Sequence, residues 1–258
     1  GQVGDRGEIR GENGARFEVS DTQRLAGDGS LPPIHFGKVI EGVFRPKDTV
    51  ELSVRPEHRI PVKANHSATH LMHSGLRNVL GTHVKQQGSV VDATRLRFDF
   101  SHTKPVSREE LRKIEREVNE VVFRNLDAIH REMPYQEAIA AGALAFFGDK
   151  YGERVKMLTI GDYSKELCGG THVGKTGEIG FFRFVSEEGI AAGVRRVEAV
   201  TQVSALAHAH AQEDVLLKSA DLLKSAQTDV PDRIEKLLEE NKRLLKEMEK
   251  LRGEVAGA

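Results

Sequence analysis

Tryptophan is absent and cysteine occurs once in this chain of 258 residues. A lone cysteine excludes an internal disulfide, which fits a reducing, cytoplasmic setting. No apolar run reaches membrane-spanning length, and the opening residues lack the pattern of a signal peptide. Neither sign of charge dominates. Lys and Arg number 38 against 39 Asp and Glu, a net charge of −1. Any nucleic acid must therefore be held by local patches, because the chain as a whole is no polycation. With 38% hydrophobic residues there is ample material for one large domain or two modest ones. The chain opens on Gly1 with no strand or cap before it, which reads as a piece of something longer.

What is present begins with short β-type runs. Residues 16–20, 34–40 and 49–54 are strand candidates, separated by Gly27-Asp28-Gly29, Pro32-Pro33 and Pro46-Lys47-Asp48. That rhythm predicts a small barrel or sandwich over residues 1–64. Asn65 is a candidate cap for a helix from His66 to Leu80, with Gly81 as its stop. A strand pair follows near Val84 and over 96–100. Ser107-Arg-Glu-Glu110 forms a capping box, and Leu111, Ile114, Val118, Val122, Leu126 and Ile129 keep helical period towards Met133-Pro134. A shorter helix is expected over 137–147, ending at Gly148, with strands over 155–160, 180–185 and 194–200. Helices and strands mix without regular βαβ alternation, so residues 65–202 read as α+β.

From Val203 the composition turns to Ala, Leu, Glu and Lys. Ile234, Leu237, Asn241, Leu244, Met248, Leu251 and Val255 step by three and four, with one Asn of the kind that sets register in a coiled coil. Three heptads leave two readings open. One is an intermolecular coil that makes a homodimer. The other is a hairpin with residues 203–226, broken at Val230-Pro231.

Two spaced pairs carry the chemistry: His66-Ser-Ala-Thr-His70 and Cys168-Gly-Gly-Thr-His172. Spacing of four puts His66 and His70 on one helix face, within reach of a single ion. Three imidazoles and a thiolate are a normal ligand set for one zinc. His73 lies one turn further along that face, as a further ligand, a hydrogen-bond partner to one, or a packed histidine. Gly169-Gly-Thr-His-Val-Gly174-Lys175-Thr176 also satisfies the phosphate-loop pattern. That loop needs a hydrophobic strand before it and a helix after it. Here a polar stretch precedes and a strand-like stretch follows, so the nucleotide reading is rejected. No glutamate stands between His66 and His70, which removes the metalloprotease arrangement, and the deaminase H-x-E with P-C-x-x-C is missing too. Spacing alone leaves the zinc between a structural pin and a hydrolytic centre.

Taken together, five blocks resemble the editing domain of the alanyl-tRNA synthetases. They are His66-Ser-Ala-Thr-His70-Leu-Met-His73, Val84-Lys-Gln-Gln-Gly-Ser89-Val-Val, Leu96-Arg-Phe-Asp-Phe-Ser-His102, Cys168-Gly-Gly-Thr-His172 and Ile190-Ala-Ala-Gly-Val-Arg-Arg-Val-Glu-Ala199. Gly1–Asp5 is similar to part of the Gly-Gly-Gln-x-x-Asp segment that opens the family's β-barrel. Two positions depart, Gln202 where Gly is frequent and Gln87 where Lys or Arg is common. Threonyl-tRNA synthetase editing domains share the two metal-type pairs, whereas the 96–102 block and the barrel segment suit the alanyl family.

The resemblance implies a β-barrel over 1–64, a zinc-containing editing core over 65–202 and a helical dimerisation region from 203. It implies a hydrolase that cleaves the ester of Ser-tRNA(Ala) or Gly-tRNA(Ala), with zinc on His66, His70, Cys168 and His172, and Thr69, Gln86 and Ser89 lining the pocket. Arg95, Arg97, Lys104, Arg195 and Arg196 are candidates for contact with tRNA phosphates. The aminoacylation domain and its ATP site are not in the chain, which should not activate alanine. Two other readings stay open: a free-standing trans-editing protein of the same family, and a non-catalytic zinc-pinned module for tRNA binding and dimerisation. A size argument sharpens the pocket. Serine is alanine plus a hydroxyl, so no site can admit serine and exclude alanine by size, and the pocket must read the hydroxyl.

Overall fold

The computed structural model describes residues 1–24, 32–145 and 151–256. The turn at Gly27-Asp28-Gly29 and the helix end at Gly148 lie outside them. The class is α+β, with three antiparallel sheets and five α-helices among the described residues. Residues 1–206 form one compact unit and residues 207–258 a second. No helix among the described residues is long and apolar enough to cross a membrane.

The first sheet takes β1 (Gly7–Gly11), β2 (Arg16–Gln23), β3 (Ile34–Glu41) and β4 (Val50–Val54) in the order β3-β2-β1-β4. Three of these match the runs read from sequence. β1 escaped notice because two of its five residues are glycine, a poor strand former. Just before it, the first residues pair across to another sheet. Val91 donates to the Gly1 carbonyl and Val3 to the Val91 carbonyl, at 2.8 and 3.0 Å. Gln2 is thereby set against Thr171, whose hydroxyl accepts from its Nε2 at 2.7 Å.

Helix α1 (Pro56–Leu80) runs ten residues longer at its start than Asn65 as a cap would allow. Pro56 occupies the first helical position, where a missing N–H costs nothing. Pro61 does withhold a donor inside the helix, but Val62, Ala64, Ala68, Leu71, Met72 and Leu76 are all fully buried and hold the segment in place. Asn65, freed from capping, donates to the Asp92 carbonyl and accepts from Thr201.

The capping box at Ser107 is present and starts α2 (Arg108–Phe123). The period read on to Ile129 does not continue as helix. Asn125 takes a left-handed φ of 49°, and beyond it the backbone bonds elsewhere. Leu126 donates to the Thr176 hydroxyl and Ala128 to the Gly174 carbonyl, and β7 (Ala128–Pro134) follows as a strand. Two apolar residues three apart fitted helical spacing, but the competing partners lay far away in sequence. Strand β7 pairs with β8 (Arg154–Ile160), and β8 pairs with β9 (Ser164–Leu167); α3 (Tyr135–Ala140) is shorter than expected.

The remaining sheet has the order β10-β11-β6-β5, built from β5 (Gln86–Val91), β6 (Leu96–Ser101), β10 (Arg183–Ala191) and β11 (Val194–Val200). Leu96, Phe98 and Phe100 of β6 and Val197 and Ala199 of β11 turn one face inwards on Leu71, Leu76, Ile114 and Val118. Gly75 permits the close approach of α1 to α2, since a Cβ there would stand 3.0 Å from Ile114 Cγ2. This packed core fixes the part of α1 that carries the two histidines.

The last helices are α4 (Gln202–Leu223) and α5 (Val230–Ala256). Along α5 the stepped row stays open: Ile234, Leu237, Leu244, Met248 and Leu251 are 44–59% exposed. A hairpin closed over that row would have buried them.

Candidate metal centre and adjoining cleft

Helix α1 presents His66 and His70 one turn apart, and the loop after β9 brings Cys168 and His172 against them. One ligand atom from each of the four lies within 4.8 Å of all the others. His172 Nε2 is 3.3 Å and His66 Nε2 3.6 Å from Cys168 Sγ. The ring of His172 sits 4.2 Å from that of His66 and 5.0 Å from that of His70.

The far nitrogen of each imidazole is occupied. His66 Nδ1 lies 3.2 Å from the Thr171 carbonyl, His172 Nδ1 lies 3.2 Å from the Ser67 hydroxyl, and His70 Nδ1 meets the Glu166 carboxylate. Holding Nδ1 in this way fixes the ring and leaves Nε2 facing the cluster, the usual support of a metal-ligating histidine. His70 Nε2 is buried and has no hydrogen-bond partner. A buried polar atom with no partner is costly, and a metal ion would supply the missing one. The donor set and this orphaned nitrogen both fit zinc. Gly170 is needed for the approach, because a Cβ there would come within 2.3 Å of the His66 ring.

Beside the cluster opens a cleft of about 990 Å³. Thr69, Gln86 and Ser89 line it together with His66, His70, His73 and Cys168. Thr69 is buried, and its hydroxyl donates to the Asn65 carbonyl at 2.8 Å. Thus seven residues singled out from sequence reach one place, and His172 completes the metal group. The phosphate candidates do not line this cleft. Arg95 grips Glu198, Arg97 and Arg196 share Asp99, and Arg195 holds Glu187. The Gly169–Thr176 stretch runs into one 3-10 turn (Thr176–Ile179) and then strand β10, so among the described residues no α-helix follows it as a phosphate loop requires.

A family model described as the threonyl and alanyl tRNA synthetase second additional domain matches residues 155–198, which include Cys168 and His172. Similarity extends over the whole chain. An alanine–tRNA ligase of Mesorhizobium japonicum is 48% identical across 99% of this chain and 30% of its own length. Those of Stenotrophomonas maltophilia and Methylococcus capsulatus are 49% and 46% identical across 99% and 100% of the chain, and 29% of each relative. The chain is related throughout to one segment of the alanine–tRNA ligases. It spans about three tenths of the length of these relatives, 29–30%.

One residue of this site is absent from the sequence-based expectations. Glu166 is fully buried and sits between two histidines, touching His70 with one oxygen and His73 Nδ1 with the other at 2.8 Å. Residues 162–166 look polar and loop-like, yet β9 forms there and points Glu166 inwards, two residues before Cys168. A glutamate at that alternation from the sole cysteine was the available signal. His73 lies outside the four-residue group and is joined to His70 through this shared carboxylate.

Electrostatics separates the ligands. Burial opposes charge on His70, but the Glu166 carboxylate and the Cys168 thiolate outweigh it and raise the imidazole to about 10. Burial would raise the Cys168 thiol, but hydrogen bonds from His172 and His66, with the neighbouring His70 charge, prevail and hold it at about 3. Burial pushes His172 down to about 3. Near neutrality the metal-free site already offers a thiolate and a neutral His172, while His70 carries a proton on the nitrogen a metal needs. Metal binding between pH 6 and 9 should therefore expel one proton from His70 and none from Cys168 or His172. Calorimetry in buffers of different ionisation enthalpy counts it. Occupancy should fall as pH drops, and proton release from Cys168 at pH 7 would contradict this electrostatic assignment.

Proposed function

We propose that this chain is an editing hydrolase, cleaving the ester that joins serine or glycine to tRNA(Ala). The observation that carries the reading is the single cleft in which Thr69, Gln86 and Ser89 adjoin the His66, His70, Cys168 and His172 group. The relationship to alanine–tRNA ligases supplies the class of substrate. In this reading residues 1–64 are the β-barrel part, 65–202 the editing core and 203–258 the tail.

A zinc ion held by all four side chains has its protein ligands complete, so it pins α1 to the Cys168–His172 loop and shapes the cleft wall. The remaining work falls to the chain. The Thr69 proton is engaged by the Asn65 carbonyl, so its oxygen presents lone pairs to the cleft and accepts from a seryl hydroxyl. Alanine offers no such donor, which leaves that acceptor unanswered. Gln86 and Ser89, on β5 across the cleft, add polar groups that orient the ester. The test is deacylation of Ser-tRNA(Ala) by the isolated chain, before and after chelation. Turnover by the zinc-loaded protein that chelation abolishes supports the reading. Metal-replete protein without turnover leaves the non-catalytic tRNA-binding module.

The exposed α5 row favours association of two copies over a hairpin. Removing residues 230–256 should turn a self-associating chain into a monomer that keeps its zinc, as read by sedimentation and elemental analysis. Monomeric behaviour of the full chain at high concentration would end the homodimer reading.

A further inference from the structure

The Cys168–His172 loop has a cleft on each of two sides. The second, of about 660 Å³, is lined by Arg59, Lys63, His130, Arg131, Lys156 and Thr171, among others. Lys156, Gly169 and Gly170 line both clefts, so the two meet across the Gly-Gly step. A Cβ at Gly169 would find nothing within 4 Å, which leaves open space at the crossing.

The charge in this second cleft is uncompensated. Its two carboxylates are already engaged, Asp5 by Arg59 and Glu132 by Arg154. Among the described residues, Lys63, Arg131 and Lys156 make no ion pair or side-chain hydrogen bond. Three cations thus line one groove without an ion-pair partner, unlike Arg95, Arg97, Arg195 and Arg196, which each hold a carboxylate.

Secondary structure puts these cations in a line with the metal group. Arg59, Lys63 and Ser67 are four residues apart on α1, and the Ser67 hydroxyl lies 3.2 Å from His172 Nδ1. The β7–β8 pairing sets Lys156 opposite Glu132, on the sheet face that also carries His130, whereas Arg131 alternates to the other face and borders the groove at its edge. The exposed His130 ring lies 5.1 Å from that of His172. Unpaired cations beside an accessible aromatic face suit a single nucleic-acid strand, whose phosphates need charge and whose bases stack.

We propose that this second cleft is the entry groove for the single-stranded 3′ end of an RNA. Lys63, Arg131 and Lys156 hold backbone phosphates, and the Gly169-Gly170 step passes the terminal ribose into the first cleft. This rests on the editing reading for the direction of travel, whereas RNA binding in the groove does not depend on hydrolysis.

The test uses the full 258-residue chain with uncharged tRNA(Ala), measured by fluorescence anisotropy over a salt series. Lys63→Gln, Arg131→Gln and Lys156→Gln should each weaken binding and reduce the salt slope by about 0.7, the value for one single-strand phosphate contact. Arg95→Gln should change the slope by less than half as much. Zinc content and circular dichroism establish that each variant is folded. A second arm needs no variant: bound tRNA should protect Lys63 and Lys156 of the unaltered protein from acetylation, read by mass spectrometry. Unchanged slopes, equal labelling with and without RNA, or no tRNA binding at low salt would each overturn the groove. If the slopes fall but Ser-tRNA(Ala) is not cleaved, the groove stands and the hydrolase reading fails. If cleavage is intact and the slopes do not move, the reverse holds.

Discussion

Thr69→Val should slow hydrolysis of Ser-tRNA(Ala) by about ten- to a hundredfold, the cost of leaving a buried hydroxyl unanswered, roughly 1–3 kcal/mol. Valine keeps the volume and replaces the oxygen with a methyl. The helix loses little by it, because the Asn65 carbonyl that accepts from Thr69 Oγ1 also lies four residues back in the α1 backbone ladder. Hydrolysis of Ala-tRNA(Ala) should not slow in parallel, since alanine has no hydroxyl to donate. It is expected to hold or rise as the wall becomes apolar. The discriminating quantity is the ratio of the two rates on the same tRNA. A ratio unchanged by the substitution would move serine recognition to Gln86 or Ser89.

Glu166→Ala should have the larger effect on the protein itself. In the metal-free site the carboxylate and the protonated His70 form a buried ion pair, with His73 on the other oxygen. Removing one partner of such a pair costs roughly 3–5 kcal/mol. Urea unfolding of the chelated protein at pH 7 measures this, and a loss below about 1 kcal/mol would show that the pair contributes little. Sign matters for the pH dependence. His70 is raised in the folded state, so the pair's contribution is complete below the ordinary value of 6.5 and is lost as pH rises through about 10. The variant should therefore approach the stability of the parent at high pH. Without the carboxylate, burial lowers His70 against the Cys168 thiolate alone, so zinc binding near pH 8 should expel fewer protons than in the parent.

The cluster of His66, His70, Cys168 and His172 is legible in the sequence because its information is local. Two residues four apart on a helix and two in a Gly-Gly turn announce themselves by spacing, and the only cysteine narrows the choice. Glu166 was not readable in that way, since its role depends on a strand whose polar composition hides it and on partners 93 and 96 residues away. Much the same happened after α2. Leu126 and Ile129 kept helical spacing, but Thr176 and Gly174 claimed the backbone that a longer helix would have used. The early start of α1 follows from burial of Val62 and Ala64, a tertiary effect that outweighs the donor Pro61 withholds and leaves Asn65 inside the helix. The arginines of β6 and β11 show the limit for charge. Sequence marks them as cations, but cross-strand register sets Arg196 opposite Asp99 and Glu198 opposite Arg97, and neutralises the patch. Lys63, Arg131 and Lys156 gave no sequence signal, as they come from two distant parts of the chain.

X-ray absorption at the zinc edge tests the central claim most directly. The chain purified with zinc should hold one ion with a single sulfur at about 2.3 Å and three nitrogens at about 2.0–2.1 Å. Cys168→Ala should remove the sulfur shell and most of the bound metal. A shell without sulfur in the unaltered protein, or full zinc retention by the variant, would contradict the account.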